Sequence, residues 1–231
     1  MALIRYGLYF VGIAVCTGLL AWTEISTPGG LKLHVFESPG DVFGTSEYSP
    51  IEMIQPAILA ICGLLYAWVA RDCPSQRPIA FAFGGLALAC IVRELHYFFD
   101  RIVDNFWQVL VAVILALLIV YTYRHRRRFR IAWLRLWPSP GLTLLFAGAV
   151  VQFVFAQIIG HEPLWVALLG DQYQRIVKLA VEEFTELLGY FFWVIGSLEY
   201  AYQARAIAMR EPKPAASRRR EGRRARSEGR F

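Results

Sequence analysis

Six apolar segments follow one another along this chain of 231 residues, and each is long enough to cross the hydrocarbon core of a bilayer. Inside that core every backbone N–H and C=O must be hydrogen-bonded within the protein, which restricts such a segment to an α-helix. Hydrophobic residues make up 57% of the sequence and charged residues 18%, a balance unlike that of soluble domains. The sequence therefore predicts an all-α polytopic membrane protein, a bundle of six transmembrane helices. The predicted spans are residues 6–23, 51–70, 79–99, 106–123, 140–160 and 175–203.

Basic residues of the short loops predict the orientation of this bundle. In a six-span arrangement most of them fall on one side, and Lys and Arg accumulate in cytoplasmic loops. Both termini are therefore predicted to be cytoplasmic (N-in/C-in), in a multi-pass protein of the cell or inner membrane. The residues on that side are Arg5, Arg71, Arg77, the run from Arg124 to Arg135, and the tail from Arg205 onward.

Residues 205–231 are predicted to form a basic cytoplasmic tail after a membrane domain of residues 1–204. The tail has ten Lys/Arg against three Glu, a net charge of +7, which leaves −1 of the whole-chain +6 for the membrane domain. High charge and few apolar residues predict disorder. The partner expected for this tail is the anionic headgroups of the inner leaflet, and nucleic acid is not expected.

Polar residues interrupt several predicted spans at a similar height. Counting about 1.5 Å per residue from the cytoplasmic ends places these residues about 20–28 Å up, in the outer half of the membrane. Arg93 is predicted to pair with a glutamate of span six, and Lys178 with an aspartate that follows span three. Helical periodicity gives Glu182 or Glu186 as the partner of Arg93, and Asp100 or Asp104 as the partner of Lys178. The predicted pocket is built from Gln55, Arg93, Glu94, His96, Asp100, Glu182, Glu183 and Glu186.

Acids outnumber cations in this layer, so some carboxylates must be protonated, hydrated or holding a cation. The first hypothesis is an integral membrane protein that binds, and by extension transports, a cation or a cationic small molecule. Transporter sites lie near the midplane, and this layer lies above it, which favours binding over transport. The simpler alternative is that the ion pairs only fix helix packing. The ligand-binding residues of the first hypothesis are Gln55, Arg93, Glu94, Glu182, Glu183 and Glu186.

His96 and Asp100 form an H-x-x-x-D pattern that puts an imidazole and a carboxylate on adjacent helical turns. With Glu182 and Glu186 they form a candidate metal set whose oxygen ligands favour a divalent metal ion such as Mn²⁺, Mg²⁺ or Ca²⁺ if a metal binds, and the alternative is a lone His96 that is only hydrogen-bonded. The pattern is similar to one in intramembrane zinc hydrolases of the alkaline ceramidase and adiponectin-receptor type. Those families have seven spans and several histidines, whereas this chain has six predicted spans and four histidines.

Two alternative functions follow. That resemblance implies an intramembrane metal-dependent hydrolase that acts on a lipid, with a glutamate as general base for a metal-bound water. The other is an accessory membrane subunit whose acids pair with cations of a partner membrane protein in a larger complex. The sequence leaves open whether the protein is an enzyme.

Overall fold

The computed structural model describes residues 2–28, 31, 35–36, 44–45, 50–137 and 139–211. The predicted all-α fold class is confirmed for these residues, whose two antiparallel strands have only two residues each. The predicted disorder of the basic tail concerns residues that lie mostly outside this part of the chain. In chain order the elements are α1 (Ala2–Ser26), β1 (Val35–Phe36), β2 (Gly44–Thr45), α2 (Pro50–Asp72), α3 (Arg77–Glu94), α4 (His96–Asp100), α5 (Phe106–Arg124), α6 (Arg126–Leu136), α7 (Pro140–Val150), a π-helical turn (Val151–Phe155), α8 (Ala156–Ile159), α9 (Glu162–Leu169), a 3₁₀ turn (Gly170–Gln172) and α10 (Arg175–Arg210).

Four of the described helical segments are long and apolar enough to cross a membrane, as expected for a membrane protein. The other two predicted spans correspond to α3 and α10, which are helical but more polar. The 18 residues of α3, for example, include Arg77, Arg93 and Glu94. The six-span count and the cytoplasmic placement of both termini stay predictions. The four apolar segments are Leu3–Ser26, Ile51–Asp72, Phe106–Arg124 and Pro140–Ile159.

α2, α3, α7 and α10 form the packed core. α10 contacts both α2 and α7, α2 packs on α3, and α5 packs on α3. α1 stays largely exposed along its apolar length and is tied to α10 near one end. Arg5 Nε lies 2.5 Å from Glu199 Oε1, and the Tyr9 hydroxyl donates a hydrogen bond to the same carboxylate at 3.0 Å. The exposed faces of α1 and α5 suit contact with lipid.

Glycines allow α7 and α10 to approach each other closely. A Cβ added to Gly141 would lie 2.7 Å from the backbone N of Tyr200, and one added to Gly196 would lie 2.9 Å from the backbone O of Gly141. Two turns further along, a Cβ on Gly148 would lie 2.8 Å from the backbone O of Gly189. Small residues at helix interfaces permit this approach inside membranes, where packing rather than water exclusion drives association.

Two predicted spans depart from a continuous α-helix. The segment that starts at Pro140 contains the π-helical turn, whose inserted residue widens the helix around Gln152. α3 ends at Glu94, and Leu95 adopts φ −93° and ψ 20° before α4 begins. The backbone N of Phe98 then bonds the O of Leu95, as in a turn. The predicted uninterrupted span 79–99 is therefore wrong at this point.

The basic run after α5 is helical. α6 buries Ala132 and Leu136, and its arginines are exposed. Arg135 pairs with Glu211, the residue that follows the last turn of α10. α10 itself continues to Arg210, beyond the predicted end of span six at residue 203.

Replacing Gly141 by Ala is expected to destabilise the protein, because a new Cβ would meet backbone atoms that no side-chain rotation can move. Overpacking of this kind costs about 1–3 kcal/mol. Thermal unfolding in detergent micelles, followed by circular dichroism, should show a lower midpoint. Gly63→Ala on α2 is the matched control, since nothing lies within 4 Å of a Cβ there. Equal midpoints for the two variants would contradict the close packing of α7 and α10.

Candidate functional site

A polar cavity of about 420 Å³ opens where α2 begins, α3 gives way to α4, and the first half of α10 passes. The structure brings seven of the eight predicted pocket residues to its wall, and Asp100 is not among the lining residues. The lining residues are Glu52, Met53, Gln55, Arg93, Glu94, Leu95, His96, Tyr97, Phe98, Trp107, Lys178, Leu179, Glu182, Glu183 and Glu186.

Arg93 links α3 to α10 across this cavity. Its Nη2 lies 3.6 Å from Glu186 Oε1, and its Nη1 lies 3.9 Å from Glu94 Oε1. Glu186 is one of the two partners that helical periodicity predicts. The whole Glu186 residue is only 8% exposed, so its charge depends on this guanidinium for compensation.

Tyr190 connects the cavity to α7. Its hydroxyl donates a 2.5 Å hydrogen bond to Glu94 Oε1 and accepts one of 3.3 Å from Gln152 Nε2, which lies in the π-helical turn. Helical periodicity places Tyr190 at the edge of the face that carries Glu182 and Glu186, but Tyr190 is not among the predicted pocket residues.

Glu183 is held differently from the other acids of α10. Gln55 Nε2 on α2 donates a 3.0 Å hydrogen bond to Glu183 Oε2, and Gln55 is 1% exposed. Among the described residues, Glu183 makes no ion pair. A neutral amide satisfies one lone pair of the carboxylate but does not balance its charge.

Lys178 pairs with Glu182, with Nζ 2.6 Å from Oε2. The predicted partners, Asp100 and Asp104, are therefore wrong. The break at Leu95 takes these aspartates off the helical face that the prediction assumed, while Glu182 lies one turn away on the same helix as Lys178. The Glu182 carboxylate also packs against the end of α8, where Gly160 leaves no room for a Cβ.

The predicted metal set of His96, Asp100, Glu182 and Glu186 is not supported. His96 Nδ1 lies 3.0 Å from the backbone O of Arg93, and the imidazole ring contacts that of Trp107 edge-on at 6.2 Å. Within the described ranges, no group of three or more His, Cys, Asp or Glu could hold a metal ion. The two glutamates of the set are committed to a basic side chain each.

Negative charge exceeds positive charge around the cavity. Among the residues that the structure describes, the lining has two Arg or Lys side chains, Arg93 and Lys178, and five glutamates, three of which come from less than two turns of α10. The five are Glu52, Glu94, Glu182, Glu183 and Glu186.

No family model, no curated protein and no solved structure matches this chain. The functional argument therefore rests on the geometry and the charge of the cavity.

Replacing Arg93 by Ala is expected to lower stability, because Glu186 and Glu94 lose their shared cation. Breaking a buried pair costs about 3–5 kcal/mol. The Arg93 side chain is 34% exposed, and solvent screening reduces the expected loss to about 1–3 kcal/mol. Denaturant-induced unfolding in micelles measures it.

Arg71→Ala is the matched control, since this side chain is 88% exposed and its nearest carboxylate is 3.8 Å away. Its stability should change by less than about 0.5 kcal/mol. The double variant Arg93→Ala/Glu186→Gln should recover part of the loss because it also removes the stranded charge. No recovery would show that the Arg93–Glu186 ion pair is not the source of the effect.

Proposed function

We propose that the protein is a six-span membrane protein, with both termini in the cytoplasm, that binds a cationic organic small molecule in the polar cavity. One observation carries this proposal: among the residues that the structure describes, four glutamates (Glu94, Glu182, Glu183 and Glu186) share two Arg or Lys side chains in the wall of a cavity of about 420 Å³. Sites for small molecules have volumes of about 300–1,000 Å³. The excess of carboxylates selects a ligand with positive charge.

An organic cation fits this cavity better than a bare metal ion. A divalent metal needs several oxygen ligands converging at about 2.0–2.6 Å, and the described residues offer no such group. Aromatic side chains, among them Trp107 and Phe98, form part of the wall. Aromatic faces attract organic ammonium groups, and their apolar surface accommodates the carbon atoms of such a ligand.

Glu183 is the residue that we assign to the ligand's charge. Arg93 is shared by Glu186 and Glu94, Glu94 also accepts a hydrogen bond from Tyr190, and Lys178 pairs with Glu182. The carboxylate of Glu183 has a neutral donor, Gln55, which fixes its orientation and leaves its charge to a ligand. Arg93 acts as a positioning residue that keeps the acidic wall assembled.

The membrane arrangement is supported by packing as well as by hydropathy. α3 packs on α2 and α5, and α10 packs on α2 and α7, so both polar helices lie beside helices that are apolar enough to span. Charged residues inside a bilayer face such an interior rather than lipid. In this orientation the cavity lies in the outer half of the membrane, and the basic tail of residues 205–231 meets the anionic headgroups of the inner leaflet.

Glu183→Gln is expected to weaken the binding of an organic monocation. A carboxylate about 5 Å from the ligand's charge contributes up to about 3 kcal/mol at an effective dielectric constant of about 20, and a tenfold change in affinity corresponds to about 1.4 kcal/mol. We therefore expect a loss of affinity of at least about tenfold. Fluorescence titration of the protein in nanodiscs with a styrylpyridinium monocation measures it.

Glu162→Gln is the control, because Glu162 is exposed and lies outside the cavity lining. The Glu162→Gln variant should bind the probe with the same affinity as the unmodified protein. An uncharged styrylpyridine should bind to neither of these two proteins. Absence of saturable probe binding to the unmodified protein, or equal affinity in Glu183→Gln, would refute the proposed function. Metal-dependent lipid hydrolysis by the purified protein would favour the hydrolase alternative instead.

A further inference from the structure

A second cavity lies next to the first. It is an apolar crevice of about 180 Å³ between α3 and α7, and α10 contributes Trp193 to its wall. Its other walls include Leu86 and Cys90 on α3 and Ala149 on α7. The binding of a cation in the polar cavity makes no use of this crevice.

The two cavities adjoin along the same two helices. On α3, Cys90 of the crevice precedes Glu94 of the polar cavity by four residues, about 6 Å of helix. On α10, the ring of Trp193 contacts that of Tyr190 edge-on at 6.0 Å, and Tyr190 bonds Glu94. The Glu94–Tyr190 hydrogen bond therefore lies between the polar cavity and the crevice.

The crevice opens sideways toward the space that lipid occupies. Leu86, Phe146 and Phe153 line it and are 43%, 51% and 49% exposed. They lie along the middle of their helical segments, whereas Arg93 and Glu94 lie at the end of α3. From the end of α3 toward its middle, the acidic cavity thus comes first and the apolar crevice second. A lipid's headgroup and hydrocarbon chain follow the same order in a leaflet.

We infer that the ligand is a single-chain amphiphilic amine, whose ammonium group lies beside Glu183 and whose hydrocarbon chain fills the crevice. This inference rests on the proposed function and specifies its ligand class. The charge complementarity of the adjoining cavity identifies the occupant, because a chain that ends in an ammonium group and runs past the Glu94–Tyr190 hydrogen bond satisfies both cavities at once. A chain in the crevice also restores the packing contacts that an empty apolar gap lacks.

The test compares two primary amines, butylammonium and dodecylammonium, as competitors of the styrylpyridinium probe in nanodiscs of fixed lipid composition. Ala149→Phe fills the crevice and should weaken dodecylammonium at least about tenfold while changing butylammonium less than about twofold. Ala116→Phe adds the same bulk on the exposed face of α5 and should change neither. Because all variants are measured in nanodiscs of the same lipid composition, the stronger partitioning of dodecylammonium into lipid affects every variant equally.

Phe153→Ala gives a second, independent measurement, because it removes crevice wall without adding volume. It should also weaken dodecylammonium and leave butylammonium unchanged. If Ala149→Phe and Ala116→Phe affected dodecylammonium equally while butylammonium still displaced the probe, the inference of an amphiphilic ligand would be wrong. The proposal that the cavity binds a cation would not be affected. If the probe binds the unmodified protein but neither amine displaces it, the inference of an amphiphilic amine would also be wrong. Failure of the probe itself to bind would overturn the proposed function.

Discussion

The distance between α7 and α10 is the constraint on which the site depends. Because Gly141, Gly148, Gly189 and Gly196 carry no side chains, the two backbones meet in direct contact. Gln152 can then reach across α10, where its Oε1 lies 2.9 Å from the position that a Cβ of Gly189 would take. Its amide bonds the hydroxyl of Tyr190, which in turn bonds Glu94 on α3, so one polar chain crosses three helices. A wider separation would leave the buried amide of Gln152 without this partner, at a cost of about 1–3 kcal/mol.

The three acids of α10 meet three different electrostatic environments within less than two turns. Among the described residues, Glu182 has a lysine of its own helix, Glu186 has an arginine of α3, and Glu183 has a neutral amide of α2 and no ion pair. Buried charged groups in natural proteins usually have partners that balance their charge. Positions where this balance is missing are expected at functional sites. We propose Glu183 as that position, because an apolar side chain in its place would be expected to stabilise a site that only fixed helix packing.

Helical periodicity and apolar length predicted much of this arrangement, since both are local properties of the chain. The segment that begins at residue 106 and the pairing of Arg93 with Glu186 follow from them directly. The break at Leu95 does not follow from these local properties. Turn hydrogen bonds replace α-helical ones there, and the balance between the two depends on the packing of α4 against α5. The wrong partner for Lys178 is a consequence of that break. Periodicity places Tyr190 beside the acidic face but does not assign it to the pocket, because an aromatic residue in an apolar run has the same composition whether it packs or donates a hydrogen bond.

The polarity of α3 and α10 has a structural explanation in the cavity that they line. A helix that faces lipid on most of its surface must be apolar throughout, as α5 is. A helix enclosed by neighbours can carry charges on the face that lines a cavity, because those neighbours separate the charges from hydrocarbon. α10 has α2 and α7 as such neighbours, and α3 has α2 and α5. In the proposed six-span arrangement, the lower mean hydropathy of these two helices is what a membrane-embedded polar site requires, and several of the acids that lower it are the residues that we propose to recognise a cation.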